Sequence, residues 1–151
     1  MTTGIPVARL SRRWQIAASH RLYAASYDEA WNLSVYGKCS NPHGHGHTYT
    51  IEVTLAGPVD LVTGMVTNLA DLDRFAQAEV IDRFDHQNLN LLPEFCELVP
   101  TTENFAMVIR RIFAAYPLAM LERVHVEETA NNSFDVLTDA GARGRMAARE
   151  R

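Results

Sequence analysis

The segment that most constrains the fold is residues 45–55, where apolar side chains recur at every second position. From Thr48 onward the apolar residues all fall on one parity: Tyr49, Ile51, Val53 and Leu55. Successive side chains of a β-strand point to opposite faces, so this alternation predicts a strand with one buried face. If the strand begins at His45, then His45 and His47 lie on the buried face, and Gly46 between them leaves the opposite face open to a close approach.

A second strand is predicted from Leu10 to Ser19, and it leads to a third histidine. His20 continues the parity of Ile16. A histidine at a strand end is more often a hydrogen-bonded edge residue, and His45 and His47 could also face water in a polar turn. Taken together, three imidazoles with no fourth protein ligand are typical of a catalytic zinc, whose open position takes water or substrate. The sequence therefore predicts a Zn²⁺ site on His20, His45 and His47.

Two other residues of the same stretch are candidates for this site. His43 could close it as a fourth ligand, but its position in the turn between Pro42 and Gly44 disfavours that role. Cys39 directly follows Lys38, and a thiol beside a metal-bound substrate suits proton abstraction from carbon. The alternative is that Cys39 is a small buried hydrophobic residue, which is the usual place of a free cysteine.

Further along the chain, three ionisable residues suggest acid–base or binding chemistry. Asp85 and His86 follow the first long predicted helix. They are either a carboxylate that orients a proton-transferring imidazole, or a histidine that complements the helix dipole. Glu128 ends a strand on the parity of Val126. It is either a solvated strand end or a carboxylate that accepts two N–H bonds from a heterocycle.

The remaining patterns predict two helices and a final hairpin. One helix runs from about Leu69 to Phe84 after Asn68 as N-cap, and the other runs from Thr101 or Thr102 to Tyr116. Residues 123–129 and 133–138 form the hairpin, and a short helical turn is expected near residues 28–33. We therefore expect one α+β domain over residues 1–151, with four antiparallel strands and two helices on one face. The ends, residues 1–7 and 139–151, are expected to be flexible.

Composition limits the classes of function. The chain has 151 residues and a net charge of −4, so a nucleic-acid-binding surface is not expected. It has no apolar run of about 18 residues and no signal-peptide pattern, so no membrane association is expected. Two cysteines do not form a disulfide framework, which favours a cytoplasmic protein. The sheet face that no helix covers predicts self-association.

Six short motifs, in this order along residues 10–138, resemble the 6-pyruvoyltetrahydropterin synthase family. They are Ser19-His20-Arg21-Leu22, Gly37-Lys38-Cys39 through His47, Asn68-Leu69-Ala70-Asp71-Leu72, Asp85-His86 with Leu89, Thr101-Thr102-Glu103-Asn104, and Glu128-Thr129-Ala130-Asn131-Asn132. The resemblance implies the tunnelling fold, in which three subunits join their sheets into a barrel and two trimers stack into a homohexamer. It also implies active sites at subunit interfaces.

The resemblance implies a role for each matched residue. His20, His45 and His47 bind zinc, Cys39 is the general base, and Asp85 and His86 assist proton transfer. Glu128 anchors the pterin, and Thr101, Thr102 and Glu103 belong to the loop that helps to hold its ring. His43 departs from the family, whose closest members more often carry asparagine there.

The implied reaction is the zinc-dependent conversion of 7,8-dihydroneopterin triphosphate to 6-pyruvoyltetrahydropterin, with release of triphosphate. A related branch, the 6-carboxytetrahydropterin synthases of deazapurine biosynthesis, uses the same substrate. That branch typically has three residues between the cysteine and the first histidine of the pair, whereas five separate Cys39 from His45 here. The spacing favours the pyruvoyl product. A non-catalytic zinc-binding oligomer is the alternative of another class, but it needs neither Cys39 nor the Asp85–His86 pair.

Overall fold

The computed structural model of the chain describes residues 6–139, and it is built on two long antiparallel strands. β1 (Val7–His20) pairs with β2 (His45–Pro58) along its whole length. β4 (Met120–Thr129) pairs with the other side of β2, and β5 (Asn132–Leu137) completes the hairpin. The two predicted strands and the hairpin are confirmed. β1 begins at Val7, so this residue is not part of a flexible leader; residues 1–5 and 140–151 lie outside the described part.

A short fifth strand was not predicted. β3 (Gln87–Asn88) pairs in parallel with β1 at Ala18 and Ser19, so the sheet order is β3-β1-β2-β4-β5. A strand of two residues is too short to show an alternation of apolar and polar side chains, so the sequence pattern did not reveal it. Its effect is local, because it brings the segment after the helix against the end of β1.

Two helical segments, within residues 69–84 and 102–113, cover one face of the sheet, as predicted. α1 (Glu29–Tyr36) lies in the long connection after β1, where only a short turn was expected. α2 (Leu69–Ala76) continues through a π-helical turn (Gln77–Ile81) into α3 (Asp82–Phe84), and α4 (Thr102–Phe113) precedes β4. Short 3₁₀ turns occupy Gly37–Ser40, Leu89–Leu91 and Pro93–Phe95. The α+β fold class is thereby confirmed.

The hydrophobic core lies between these helices and the predicted apolar parity of the strands. Tyr49, Ile51, Val53 and Leu55 are fully buried. They pack with helical side chains that share one face of each helix: Leu72, Ala76, Val80, Phe84, Phe105, Ile109 and Phe113. Each such aliphatic or aromatic side chain contributes about 1.5–3 kcal/mol on burial. This packing fixes the apolar face of β1 and β2 against the helices.

The opposite face of the sheet is polar rather than bare. Glu52 is buried there and pairs with both Arg13 and Arg123. Arg9 of β1 forms an ion pair with Glu122 of β4, and the hydroxyl of Ser11 in β1 bonds to that of Thr54 in β2. Because these side chains are charged and paired, the face can be in contact with solvent. It does not need an apolar partner surface to cover it. None of the helices within residues 6–139 is long and apolar enough to cross a membrane.

Candidate metal centre and active site

The register of β1 and β2 brings the three predicted histidines together. His20 lies opposite His45, and Ala18 lies opposite His47. One side-chain nitrogen from each histidine lies within 4.8 Å of the others, and the Nε2 atoms of His20 and His45 are 3.0 Å apart. This register puts all three side chains on the same face of the sheet, where their rings converge. This group of side chains can hold a metal ion.

The chemical state of the histidines also suits a metal. His20 is buried, and its Nδ1 lies 2.7 Å from the carbonyl oxygen of Pro100, so Nδ1–H donates and Nε2 keeps its lone pair. Burial lowers the pKa of His20 and of His47, which favours the neutral imidazoles that ligate metals. Nε2 of His47 is buried, and no hydrogen-bond partner for it occurs among the described residues. A cation would satisfy that atom.

Cys39 lies in a turn that is tied to the end of β1. The backbone N–H of Leu22 donates to the carbonyl of Cys39 at 2.8 Å, and Nε of Arg21 donates to the carbonyl of Ser40 at 2.8 Å. The amide of Asn90 in turn bonds to both the N–H and the carbonyl of Arg21, at 2.6 and 2.9 Å. The residue directly after His20 therefore positions the segment that carries the half-buried thiol.

Glu128 lies near two of the three histidines at the end of β4. Its Oε1 lies 3.7 Å from Nε2 of His20 and 3.6 Å from Nε2 of His47. The buried hydroxyl of Thr102 donates to the same oxygen at 2.7 Å. The nearby Tyr49 hydroxyl is fully buried, and this burial, with the Glu128 charge next, raises its pKa well above the usual range. Glu128 is thus a partly buried carboxylate and not a solvated strand end.

The other residues of the α4 motif have different positions. Thr101 caps α4, and its hydroxyl accepts from the N–H of Asn104 at 3.3 Å. Glu103 is exposed in the first helical turn. His43 is exposed and does not belong to the metal-binding group found among the described residues.

Asp85 and His86 do not join this group within one chain. Oδ1 of Asp85 accepts the N–H of Ala17 at 2.8 Å, and the N–H of His86 donates to the Ala17 carbonyl at 2.5 Å. Nδ1 of His86 lies 2.9 Å from Asp85, and the ring is 81% exposed. His86 lines a shallow pocket at the edge of β1, together with residues of both strand parities such as His47 and Thr48. The backbone bond from Ala17 lowers the pKa of Asp85.

Sequence patterns did not identify several residues that support this site. Pro100 orients His20 from a position 80 residues away. The side chains of Asn90 and Arg21 hold the Cys39 turn by bonding to backbone atoms, and the backbone partners leave no sequence signal. Tyr49, whose hydroxyl lies 3.3 Å from Nδ1 of His20, could have been found, because it shares the parity of His45 and His47.

Comparison with known proteins agrees with this arrangement. A family profile described as 6-pyruvoyl tetrahydropterin synthase matches residues 9–139. The chain belongs to that family. It is similar to the human 6-pyruvoyl tetrahydrobiopterin synthase, with 44% identity over 127 residues that span 83% of this chain and 88% of the human one. The Drosophila melanogaster protein of the same name is 43% identical over 131 residues, 84% of this chain and 77% of the fly protein.

A solved structure from the same family gives the fold. The Caenorhabditis elegans 6-pyruvoyl tetrahydropterin synthase superposes with a TM-score of 0.82 at 35% sequence identity, covering 89% of this chain and 98% of that one. The expected tunnelling fold and family membership are therefore confirmed. The expectation that the chain is an enzyme of this family is confirmed as well, because the curated relatives are synthases.

Proposed function

We propose that this chain converts 7,8-dihydroneopterin triphosphate to 6-pyruvoyltetrahydropterin and triphosphate. The observation that supports this most is the convergence of three imidazoles, with a partly buried carboxylate near two of them and a thiol turn tied to the residues after His20. The human and fly relatives with the same family name span more than four fifths of this chain. The combination suits a reaction that begins with removal of carbon-bound protons.

The proposed metal is Zn²⁺, held by His20, His45 and His47. An all-imidazole set of three ligands is typical of catalytic zinc, and the neutral tautomer of His20 fits that role. When bound, zinc would act as a Lewis acid toward the side-chain hydroxyls of the substrate and acidify the adjacent C–H bonds. The backbone contact from Pro100 would keep the His20 ring in its ligating orientation.

The contacts of the other residues support the roles that we propose for them. Cys39, held in its turn by Leu22 and Arg21, is the proposed base that removes the substrate proton. Glu128 is proposed to anchor the pterin by accepting its ring N–H groups. Thr102 orients Glu128, while Thr101 and Glu103 would line the same end of α4.

The proposed role of Asp85 and His86 in proton transfer requires a neighbouring subunit. In one chain this pair lies at the outer edge of β1, against the backbone of Ala17, and not within the group of three histidines. A homohexamer in which sheets join edge to edge would place the pair near the site of an adjacent copy. Among residues 6–139, β1 has no strand partner on its second edge before Ala18, which leaves an edge available for such joining.

Two alternatives remain as outcomes of the test. 6-Carboxytetrahydropterin synthase activity is disfavoured by the five residues between Cys39 and His45, which make a longer turn around the thiol. A non-catalytic zinc-binding oligomer is disfavoured by the enzyme relatives and by the tethered thiol. We further propose that residues 1–151 form one domain and that the enzyme acts in the cytoplasm, where its two free cysteines stay reduced.

A product assay decides between these outcomes. Purified protein is incubated with 7,8-dihydroneopterin triphosphate, and the products are separated by chromatography and identified by mass spectrometry. The expected products are 6-pyruvoyltetrahydropterin and triphosphate, in amounts that scale with zinc content. Formation of 6-carboxytetrahydropterin and acetaldehyde would support the first alternative instead. Zinc binding without turnover would support the second.

A further inference from the structure

The chain directly after β1 is supported by a side chain in place of a neighbouring strand. The ladder between β1 and β2 ends where His20 lies opposite His45. At the next residue, Arg21, the amide of Asn90 bonds to both backbone groups. Its Oδ1 accepts the N–H at 2.6 Å, and its Nδ2 donates to the carbonyl at 2.9 Å. Because backbone groups away from water need such partners, this amide fixes the course of the chain after β1.

Asn90 is itself held in place by the segment that carries β3. Its backbone N–H donates to Oδ1 of Asn88 at 3.0 Å, and Asn88 pairs with Ser19 of β1. Leu89, between the two asparagines, is fully buried in the core. The position of the Asn90 amide is therefore set by strand pairing and by packing, and its two bonds to Arg21 transmit that position to the chain after β1.

Arg21 and Leu22 transmit the same position to the turn that carries Cys39. The N–H of Leu22 donates to the carbonyl of Cys39 at 2.8 Å, and Nε of Arg21 donates to the carbonyl of Ser40 at 2.8 Å. The two bonds reach consecutive carbonyls, so they fix the orientation of the turn as well as its distance from β1.

The guanidinium of Arg21 is held on three sides. Besides the bond to Ser40, its Nη2 lies 3.2 Å from both carboxylate oxygens of Glu29, and its Cζ lies 4.1 Å from the centre of the Tyr23 ring. Only 22% of the side chain is exposed. These contacts keep the guanidinium in one orientation, which suits a group that holds the Cys39 turn.

We infer that Asn90 is a positioning residue for the Cys39 thiol. Through Arg21, its amide sets where the Cys39 turn lies relative to the end of β1, which carries His20. The effect on catalysis rests on the proposed function, in which Cys39 removes a substrate proton beside the metal site. A misplacement of about 1 Å can slow a reaction by about 10²-fold. Loss of the amide should therefore slow proton removal more than it weakens substrate binding.

The kinetic test compares wild type with Asn90→Ala and Asn90→Asp. Asn90→Ala removes both bonds to Arg21, whereas Asn90→Asp keeps an acceptor for the N–H and loses the donor. We expect kcat to fall by about 10- to 100-fold in Asn90→Ala and by less in Asn90→Asp, with KM near the wild-type value. Zinc content should stay unchanged, because His20 remains in its ladder with His45. A raised KM with unchanged kcat, or loss of zinc, would overturn the inference.

Asn32 provides the matched control, because its amide bonds to another backbone in the same connection. Its Oδ1 accepts the N–H of Ala24 at 2.7 Å, and its Nδ2 donates to the Ala24 carbonyl at 3.1 Å. In the described part of the chain, the hydrogen bonds of this buried side chain all lie within residues 24–28. Asn32→Ala should lower thermal stability at least as much as Asn90→Ala, with a smaller loss of kcat. An equal loss of kcat would attribute the effect to general loosening and contradict the inference.

A double-mutant cycle with Cys39→Ala shows whether Asn90 acts through the thiol. If it does, Asn90→Ala should have little further effect on kcat in protein that already lacks the thiol, because the effects of coupled residues do not add. Additive losses would show that Asn90 influences the reaction by another route, and the positioning role would then be wrong.

A measurement that needs no turnover separates this inference from the proposed function. Iodoacetamide alkylates both free thiols, and peptide mass spectrometry follows each one. Cys39 is half-buried and Cys96 is exposed, so release of the turn in Asn90→Ala should raise the rate at Cys39 several-fold and leave the rate at Cys96 near that of wild type. An unchanged rate at Cys39 would overturn the inference even in an active enzyme. A raised rate in a protein without turnover would uphold it, although the proposed function would fail.

Discussion

The imidazole of His20 is held by contacts that come from two distant parts of the chain. The Pro100 carbonyl accepts from Nδ1 at 2.7 Å, and the Tyr49 hydroxyl lies 3.3 Å from the same atom. Fixing the tautomer in this way leaves Nε2 as a ligand before any metal arrives, which reduces the reorganisation needed for binding. At the scale of single residues, the His20 ring is therefore oriented by polar contacts to Nδ1, the nitrogen that the metal would not use.

Cys39 and His45 should separate proton transfer from metal binding. Cys39→Ala is expected to keep about one zinc per chain and to lose turnover by about 10²–10⁴-fold, the usual contribution of an acid–base group. His45→Ala is expected to lose the zinc, because the ligand itself is removed. Metal analysis and steady-state kinetics on both variants check this. A near-normal rate in Cys39→Ala would remove the thiol from the mechanism, and full zinc occupancy in His45→Ala would exclude that ligand.

Gly44 and Gly37 form a matched pair for testing how the turn before His45 is built. Both have positive φ, at 68° and 55°. A Cβ on Gly44 would lie 2.9 Å from the carbonyl oxygen of His20, whereas a Cβ on Gly37 would have nothing within 4 Å. Gly37→Ala should cost about 1–3 kcal/mol from the backbone alone, because φ of 55° with ψ of −132° is a combination that residues with a Cβ rarely adopt.

Gly44→Ala should cost more than Gly37→Ala and should also weaken zinc binding, because relief of the clash moves the backbone next to two ligands. Thermal unfolding of the metal-free proteins and a zinc competition assay measure the two effects. Equal losses of stability in the two variants would contradict the predicted clash.

At the scale of elements, α2 is attached to β1 by one polar cluster at the edge of the core. Arg12 makes two hydrogen bonds to Asp73, at 3.0 and 2.6 Å, and the Trp14 indole donates to Asp73 at 3.1 Å. The Trp14 ring stacks on Phe113 of α4 with centroids 5.6 Å apart. The cluster thus links both helices to the strand that carries His20.

Asp73 should give this linkage a pH dependence. The hydrogen bond from Arg12 is the main factor that lowers the pKa of Asp73. A lowered folded-state pKa stabilises the fold above the unfolded pKa of about 3.9, and the contribution is lost as pH falls through the folded value. Asp73→Asn should therefore destabilise the protein at pH 7 by about 1 kcal/mol, a value reduced by the partial exposure of the pair.

Denaturant unfolding at pH 7 and at pH 3 tests this prediction, since the difference between wild type and Asp73→Asn should shrink at the lower pH. Asp71→Asn is the control, because within the described part of the chain the ion pair of Asp71 is with the exposed Arg74 in the same helix. A loss in Asp71→Asn as large as that in Asp73→Asn would show that charge on α2, and not the contact with β1, is responsible.

At the scale of the whole molecule, the free edge of β1 decides how copies can join. Ala17 directs its N–H and carbonyl away from β2, toward Asp85 and His86. Residues of the same parity, such as Gln15, must direct theirs to the same side, because backbone groups alternate along a strand. No strand covers that side before Ala18 within residues 6–139.

Gln15→Pro should therefore block edge-to-edge association without breaking the β1–β2 ladder. Proline removes an N–H that points away from β2 and is tolerated on an edge strand. Sedimentation analysis should show smaller species than for wild type and for the Gln15→Ala control. An unchanged assembly in Gln15→Pro would show that this edge does not form the interface.

Much of the candidate site could be predicted from the sequence because the relevant signals are local. Strand parity alone placed His45 and His47 on the face of Tyr49, and the register of β1 and β2 confirms that His20 joins them. Periodicity also predicted the helices that cover this face, since burial of apolar residues repeats with the geometry of each element. The roles of Cys39 and Glu128 in catalysis stay predictions from family resemblance.

Only the tertiary structure decided which distant groups meet. Periodicity reports which face of an element is buried, but not which carbonyl or hydroxyl lies across from it. The contacts of Pro100 with His20 and of Thr102 with Glu128 depend on how α4 and the loop before it pack on the sheet. The outward position of His86 likewise depends on the two-residue strand β3, which is too short to leave a pattern. These long-range contacts arise from packing, and so the sequence pattern determined the ligand face while the fold determined the groups that orient it.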